Sequence, residues 1–159
     1  MTASILAIDT SALLRRYVPD PHRSLVLGAM AEANVWCAAE LARTEVLLAL
    51  HRMAMAPFQH EDLWRSARAD WDAFHVVPVD GRCLSHAADI GATFGLRLTD
   101  AVHLAAADRL PRPLRYLTFD HRQIPAAAEL GFEVLTPSTP QMPSNASMPR
   151  SAVRQREPR

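Results

Sequence analysis

Residues 4–14, SILAIDTSALL, decide how the rest of the chain is read. Ile5 to Ile8 is a short, almost unbroken apolar run, the pattern of a strand buried on both faces of a parallel sheet. It stops at a carboxylate, Asp9, and two hydroxyls, Thr10 and Ser11. An apolar-periodic segment of helical character follows. A charged residue at the carboxyl end of a central parallel strand lies where open α/β sheets place their ligands. Asp9 also suits a simpler role, as the cap of the helix that follows.

Strand and helix signals alternate through residue 137. After a first helix over residues 11–18, with Arg15 and Arg16 on its outer arc, Pro19 interrupts. Asp20 and Pro21 then carry a helix-start signal for a segment reaching Ala33. Val35–Cys37 is a short strand candidate. Residues 38–55 form a long helix with Leu41, Val46, Leu47, Leu50 and Met53 on a 3.6-residue period, ended by Pro57. Residues 61–74 make another amphipathic helix and 75–79 a third strand. A helix capped by Asp80 runs to about Thr93 and closes at Gly95. An alanine-rich helix over 99–110, a strand over 116–119, a short helix over 126–130 and a strand over 132–135 complete the pattern. Strands separated by helices indicate a parallel sheet covered on both faces. Trp36, Trp64 and Trp71 read as core or interface residues.

The chain has 159 residues, 49% hydrophobic and 21% charged, as expected of one water-soluble domain. No apolar run approaches the ~18 residues of a membrane span, and the start lacks a signal-peptide pattern, so a cytoplasmic protein is expected. Cys37 and Cys83 form no paired motif and read as small buried hydrophobes. Every one of the 17 basic residues is arginine, and the net charge of zero divides into +3 over residues 138–159 and −3 over 1–137. A slightly acidic body suits a protein that gathers carboxylates around a cation better than one that coats nucleic acid with a basic face. Residues 138–159 lack periodicity, are dominated by Pro, Ser, Asn and Arg, and read as a disordered tail.

Four acids stand in apolar surroundings. Asp9 ends the first strand, Glu45 lies beside the apolar stripe of the long helix, Asp100 opens the helix in LTDAVHLAAA, and Asp120 closes YLTFD. Each has an ordinary alternative. Asp100 follows a plausible cap in Thr99, Asp120 with Gln123 approximates a capping box, and Glu45 has Arg43 and Arg52 within reach. Considered together, the ends of the first and fourth strands share one edge of a parallel sheet. Four carboxylates converging there would repel one another unless a cation lay among them. Mg²⁺ or Mn²⁺ suits an all-oxygen set, and such ions support hydrolysis of phosphodiesters. Seven histidines without paired spacing do not indicate zinc, and His103 reads as structural.

With DTSALL at Asp9, ELARTEVLLAL around Glu45, LTDAVHLAAA at Asp100, YLTFDHR at Asp120 and a closing LGFEVLTP, residues 4–137 resemble a PIN domain. In size and spacing they are most similar to the VapC-type toxins of bacterial toxin–antitoxin pairs. The resemblance implies a three-layer α/β/α, Rossmann-like fold with about five parallel strands in the order 3-2-1-4-5. It also implies an Mg²⁺- or Mn²⁺-dependent endoribonuclease. Asp9, Glu45, Asp100 and Asp120 would be the acidic, metal-binding quartet, with Asp9 and Asp100 the foremost direct ligands and Glu45 and Asp120 binding directly, acting through water or holding a second ion. Ser11 and Thr118 would orient the carboxylates, and Arg15, Arg16 and Arg97 are candidates for phosphate contacts. Single-stranded or structured RNA is the implied substrate, a VapB-type antitoxin the implied partner, and a homodimer the implied assembly. Two rivals share the sheet. One is a non-catalytic RNA- or protein-binding module of the same fold. The other is a phosphatase or phospho-acceptor domain, disfavoured because the chain has no lysine to hold a phosphoryl group.

Overall fold

The computed structural model describes residues 4–53 and 57–138. Five strands, β1 (Ile5–Ile8), β2 (Val35–Ala39), β3 (His75–Val77), β4 (Leu114–Leu117) and β5 (Glu133–Leu135), form one sheet in the order β3-β2-β1-β4-β5. All four pairings are parallel, with Leu6 opposite Trp36 on one side and Arg115 on the other. The fold class and strand order are those expected. β1 is central because its alternation serves two layers at once. Leu6 and Ile8 enter one core and Ala7 enters the other.

The layer over Leu6 and Ile8 is built from α1 (Thr10–Leu13), α2 (Arg23–Glu32), α3 (Glu40–Met53) and α4 (Pro57–Trp71). Leu13, Val26, Met30, Val46 and Leu50 are its buried apolar contacts. The opposite layer is α5 (Gly81–Phe94), α6 (Leu98–Asp108) and α7 (Ile124–Glu129). α6 is buried at eight consecutive positions, Asp100 to Ala107, so its alanine run is a packing surface between the sheet and α5. Cys37 and Cys83 are free and buried, and burial raises the Cys37 thiol to about 11. The tryptophans belong to the first layer. Trp36 Nε1 donates to the Met30 carbonyl at 2.7 Å and Trp64 Nε1 to the Leu47 carbonyl at 3.0 Å, while Trp71 stacks on Phe74.

Several boundaries differ from the sequence reading, each for a local reason. The first helix is split: α1 tightens into a 3₁₀ turn over Leu14–Arg16. Asp20 does not cap α2; its Oδ1 accepts from the His22 N–H at 2.8 Å in a turn, and the helix begins at Arg23. Pro57 is the first residue of α4, which therefore starts four residues before the expected Glu61, at a position where a missing N–H costs no helical bond. β3 stops at Val77, since Pro78 has no N–H to give a ladder. β2 runs two residues further, to Ala39, and β4 runs over Leu114–Leu117, two residues earlier than expected. The Asp80 cap is present, with its Oδ1 accepting from the Cys83 N–H at 2.9 Å, and Gly95 closes α5 at φ +65°, a left-handed conformation that favours glycine. The last residues of the long helix expected over 38–55 and the tail beyond residue 138 lie outside the described residues.

Candidate active site

The site lies at the carboxyl edge of β1 and β4 and is built outward from Asp9. Its backbone N–H continues the sheet by donating to the Leu117 carbonyl at 3.2 Å, which fixes where the side chain emerges. Only 1% of Asp9 is exposed. Oδ1 accepts from the Ala12 N–H at 3.0 Å and from Ser11 Oγ at 2.7 Å. Oδ2 accepts from Thr118 Oγ1 at 2.8 Å and Gln123 Nε2 at 3.0 Å, and lies 2.9 Å from Ser11 Oγ. Asp9 therefore does cap α1, as the simpler reading held. It does so while its other oxygen points into a polar cluster drawn from β4 and the turn after it. Burial pushes its carboxyl above the ordinary value of 3.8, against the opposing pull of His103 and of the Ser11, Ala12 and Thr118 hydrogen bonds. A carboxylate in that position gains from a nearby positive charge.

Asp100 enters from the first turn of α6. The helix begins at Leu98 with Arg97 as its cap residue, so Thr99 does not cap it. Asp100 Oδ1 accepts from Gln123 Nε2 at 3.1 Å, the same nitrogen that serves Asp9. Two acids 91 positions apart in sequence are thus held on one amide group. Gln123 is 1% exposed, and its Oε1 accepts from the Tyr116 hydroxyl at 2.7 Å, which sets the orientation of the amide. From sequence, Gln123 is no more than a capping partner for Asp120. Its signal was weak: a polar residue between Arg122 and Ile124 in a turn.

Asp120 caps a 3₁₀ turn, His121–Gln123, by accepting from the Arg122 N–H. Arg122 also returns its side chain to the same carboxylate, Nε to Oδ1 at 3.0 Å and Nη2 to Oδ2 at 2.7 Å. These bonds hold Asp120 below the usual carboxylate value. Arg97 Nε donates to Asp100 Oδ2 at 3.0 Å, and its Nη2 lies 3.5 Å from Asp120 Oδ2. Two guanidinium groups therefore stand at the mouth between Asp100 and Asp120. Arg122 was not among the residues expected at the site.

Glu45 shares no hydrogen-bond donor with the other three among the described residues, although Arg97 at the mouth also helps hold its carboxyl down. Its partner is neither Arg43 nor Arg52. Oε1 accepts from Thr10 Oγ1 at 2.9 Å and from His103 Nε2 at 2.6 Å. Burial alone would raise this carboxyl, but the His103 and Thr10 bonds outweigh it and the net direction is down. The bond to Glu45 requires a proton on His103 Nε2, while Nδ1 is buried without a partner among the described residues. His103 is 4% exposed and acts on Glu45, in keeping with a structural histidine.

The expected convergence is thus partial. Asp9 and Asp100 share Gln123, and Asp100 and Asp120 share two arginines. Among the described residues no three His, Cys, Asp or Glu side chains are arranged to hold a metal ion together. The groups between the acids are all N–H donors, one amide and two guanidinium forks, which supply in part the positive potential that the carboxylates require. The donor chemistry fits a hard divalent cation: all candidate ligands are carboxylate oxygens, and one of them is a buried charge without a full countercharge.

Ser11 and Thr118 hold Asp9 as expected; Ser11 Oγ also accepts from the Phe119 N–H at 2.9 Å, tying α1 to the end of β4. The expected phosphate contacts separate. Arg97 lies at the mouth. Arg15 lies beside it, over the Phe119 ring at 4.7 Å with Nε 3.3 Å from Asp20. Arg16 turns away: its Nε donates to Asp70 Oδ2 at 2.6 Å, Tyr17 donates to the same oxygen at 2.9 Å, and the group clamps the 3₁₀ turn to α4.

The PIN domain family model matches residues 6–130. Ribonuclease VapC46 of Mycobacterium tuberculosis is 32% identical over 132 residues, covering 82% of this chain and 96% of that protein. Ribonuclease VapC47 of the same species is 29% identical over 138 residues, covering 84% and 97%. Among solved structures, a toxin–antitoxin complex from Klebsiella pneumoniae contains a chain of the same fold, with a TM-score of 0.63 at 16% identity over 84% of this chain and 98% of that one. With the acids of β1, α6 and β4 gathered at one sheet edge and the family model spanning nearly the whole described chain, this protein belongs to the PIN domain family, among its VapC-type members.

Proposed function

We propose that this chain is an Mg²⁺- or Mn²⁺-dependent endoribonuclease that acts in the cytoplasm as the toxin of a VapBC-type pair. The observation that carries the reading is the single amide of Gln123 holding Asp9 and Asp100 side by side at the carboxyl edge of the central strands. A buried pair of carboxylates is costly to maintain for stability alone. It is useful where a divalent cation binds. The relatives named as ribonucleases and the toxin–antitoxin complex among similar structures support the same assignment.

In this reading Asp9 and Asp100 hold the ion, and Asp120 and Glu45 complete the set directly or through water. When bound, the ion supplies activation of water and neutralisation of charge on a phosphodiester. The chain's own residues do the positioning. Ser11, Thr118 and the Ala12 N–H hold the Asp9 oxygens in place, and Gln123 sets the spacing to Asp100. His103 and Thr10 fix one oxygen of Glu45 and keep it ionised, leaving its carboxylate to accept a proton from water. Arg97, and Arg15 beside Phe119, contact RNA phosphates. A VapB-type antitoxin is the partner that restrains the activity, and a homodimer is the working assembly.

The test is mapping of cleaved RNA ends with purified protein in Mg²⁺ or Mn²⁺, wild type against Asp100→Asn. Metal-dependent 5′ or 3′ ends present with wild type and absent with the variant are expected. Ends that persist with Asp100→Asn, or a protein that cleaves no RNA with either ion, refute the assignment.

A further inference from the structure

The mouth of the site holds two positive charges that the chain itself supplies. Arg97 and Arg122 both bridge Asp100 and Asp120: Arg97 Nε lies 3.0 Å from Asp100 and its Nη2 3.5 Å from Asp120, while Arg122 Nη2 lies 2.7 Å from Asp120 and 3.8 Å from Asp100. The two acids and the two arginines differ in how they are held. The side chains of Asp100 and Asp120 are 8% and 15% exposed, whereas those of Arg97 and Arg122 are 63% and 55% exposed. The carboxylates are part of the packed edge. The guanidinium forks are largely exposed and, among the described residues, are anchored by carboxylates.

The backbone beneath Arg122 is fixed independently of its side chain. Its N–H donates to the capping carboxylate of Asp120 at 3.0 Å, and the next residue, Gln123, is buried between Tyr116, Asp9 and Asp100. The side chain is therefore free to move without disturbing the turn.

We propose that Arg97 and Arg122 are an exchangeable guanidinium clamp: in the free protein they occupy the Asp100–Asp120 mouth in place of a divalent cation, and on its arrival they transfer to the phosphate of the substrate. The proposal rests on the nuclease reading above. The physical basis is competition for the same oxygens. Partly exposed arginine–carboxylate pairs are weak and easily exchanged. A divalent ion carries twice the charge in a smaller volume. A guanidinium released beside it presents the planar fork that matches a phosphate bidentately. Cation and RNA then bind cooperatively, because each favours the same arginine position, and the coupling is reciprocal. Arg122 becomes a positioning residue for the phosphodiester that the sequence did not announce.

The test is calorimetric titration of Mn²⁺ into the RNA-free full-length protein, comparing wild type with Arg122→Ala and Arg97→Ala. Each variant's fold is checked by circular dichroism. Removal of either competitor is expected to tighten Mn²⁺ binding roughly two- to fivefold at low salt, the scale of a partly exposed ion pair. A second arm follows binding of a labelled single-stranded oligonucleotide with and without Mn²⁺. Wild type is expected to gain affinity with Mn²⁺, and Arg122→Ala to lose most of that gain. Measurable Mn²⁺ binding that is unchanged or weaker in both variants overturns the clamp while leaving the nuclease reading intact. No Mn²⁺ binding by any of the proteins overturns the metal-dependent reading, and the clamp with it. Should Arg122→Ala fail to fold, Arg122→Gln, which keeps the backbone cap and a neutral side chain, gives the same readout.

Discussion

Replacing Gln123 by leucine removes the one group that joins Asp9, Asp100 and Tyr116 without much change of volume. Three hydrogen bonds are lost at once: Nε2 to Asp9 Oδ2 at 3.0 Å, Nε2 to Asp100 Oδ1 at 3.1 Å, and the Tyr116 hydroxyl to Oε1 at 2.7 Å. Asp9 keeps Ser11, Ala12 and Thr118 as donors, and Asp100 keeps Arg97, so neither carboxylate is abandoned. The Tyr116 hydroxyl is, because its ring is 1% exposed. At about 1–2 kcal/mol for each of the three lost partners, the total destabilisation is about 3–6 kcal/mol. That is a large share of the ~5–15 kcal/mol that stabilises an ordinary domain. Urea unfolding of the metal-free protein measures it, with the slope m unchanged. The carboxylates also lose the donor that sets their spacing, so Mn²⁺ stabilises the variant less than it stabilises wild type. A loss below about 1 kcal/mol, or a variant that Mn²⁺ stabilises as much as it does wild type, would refute the claim that the Gln123 amide holds the acid pair.

Other outcomes follow from the same geometry. Asp9→Asn is expected to abolish Mn²⁺ binding, to lower stability by placing an NH2 group against donors that the buried carboxylate accepts from, and to remove the pH dependence that Asp9 gives wild type. The folded state holds the Asp9 carboxyl above 3.8 and so binds more protons than the unfolded chain, which makes wild type lose stability as pH rises through that window. Denaturation at several pH values across the weakly acidic range should show that slope in wild type and its absence in the variant. Ser11→Ala removes a hydroxyl that serves Asp9 and the Phe119 N–H together, and about 1–2 kcal/mol of stability should go with it in a thermal melt. Arg16→Ala should lower stability by about 1 kcal/mol through its lost bond to Asp70 and leave oligonucleotide affinity unchanged, whereas Arg97→Ala should weaken that affinity in the presence of Mn²⁺. Both comparisons are made by denaturation and fluorescence polarisation, and equal losses of affinity would contradict the separate placement of the two arginines.

The sequence by itself determined the fold class and the order of elements, and it marked the candidate acids. Those conclusions rest on local patterns. An apolar run ending in Asp9 can be read from ten residues, and strand–helix alternation restricts the sheet to parallel order. Asp9, Asp100 and Asp120 announced themselves as charges in apolar settings, and Ser11 and Thr118 by lying next to those acids along the chain. Helix boundaries around Asp20, Pro57 and Thr99 were misplaced because a proline or a hydroxyl signals a start at more than one position. Tertiary structure alone decided the pairings. Glu45 meets His103 and Thr10 rather than a neighbouring arginine, Gln123 links two distant acids, and Arg122 folds back over the site while Arg16 turns to α4. Such contacts depend on which rotamer reaches which element across the sheet edge. Long polar side chains in turns carry no periodicity that would reveal that choice from sequence.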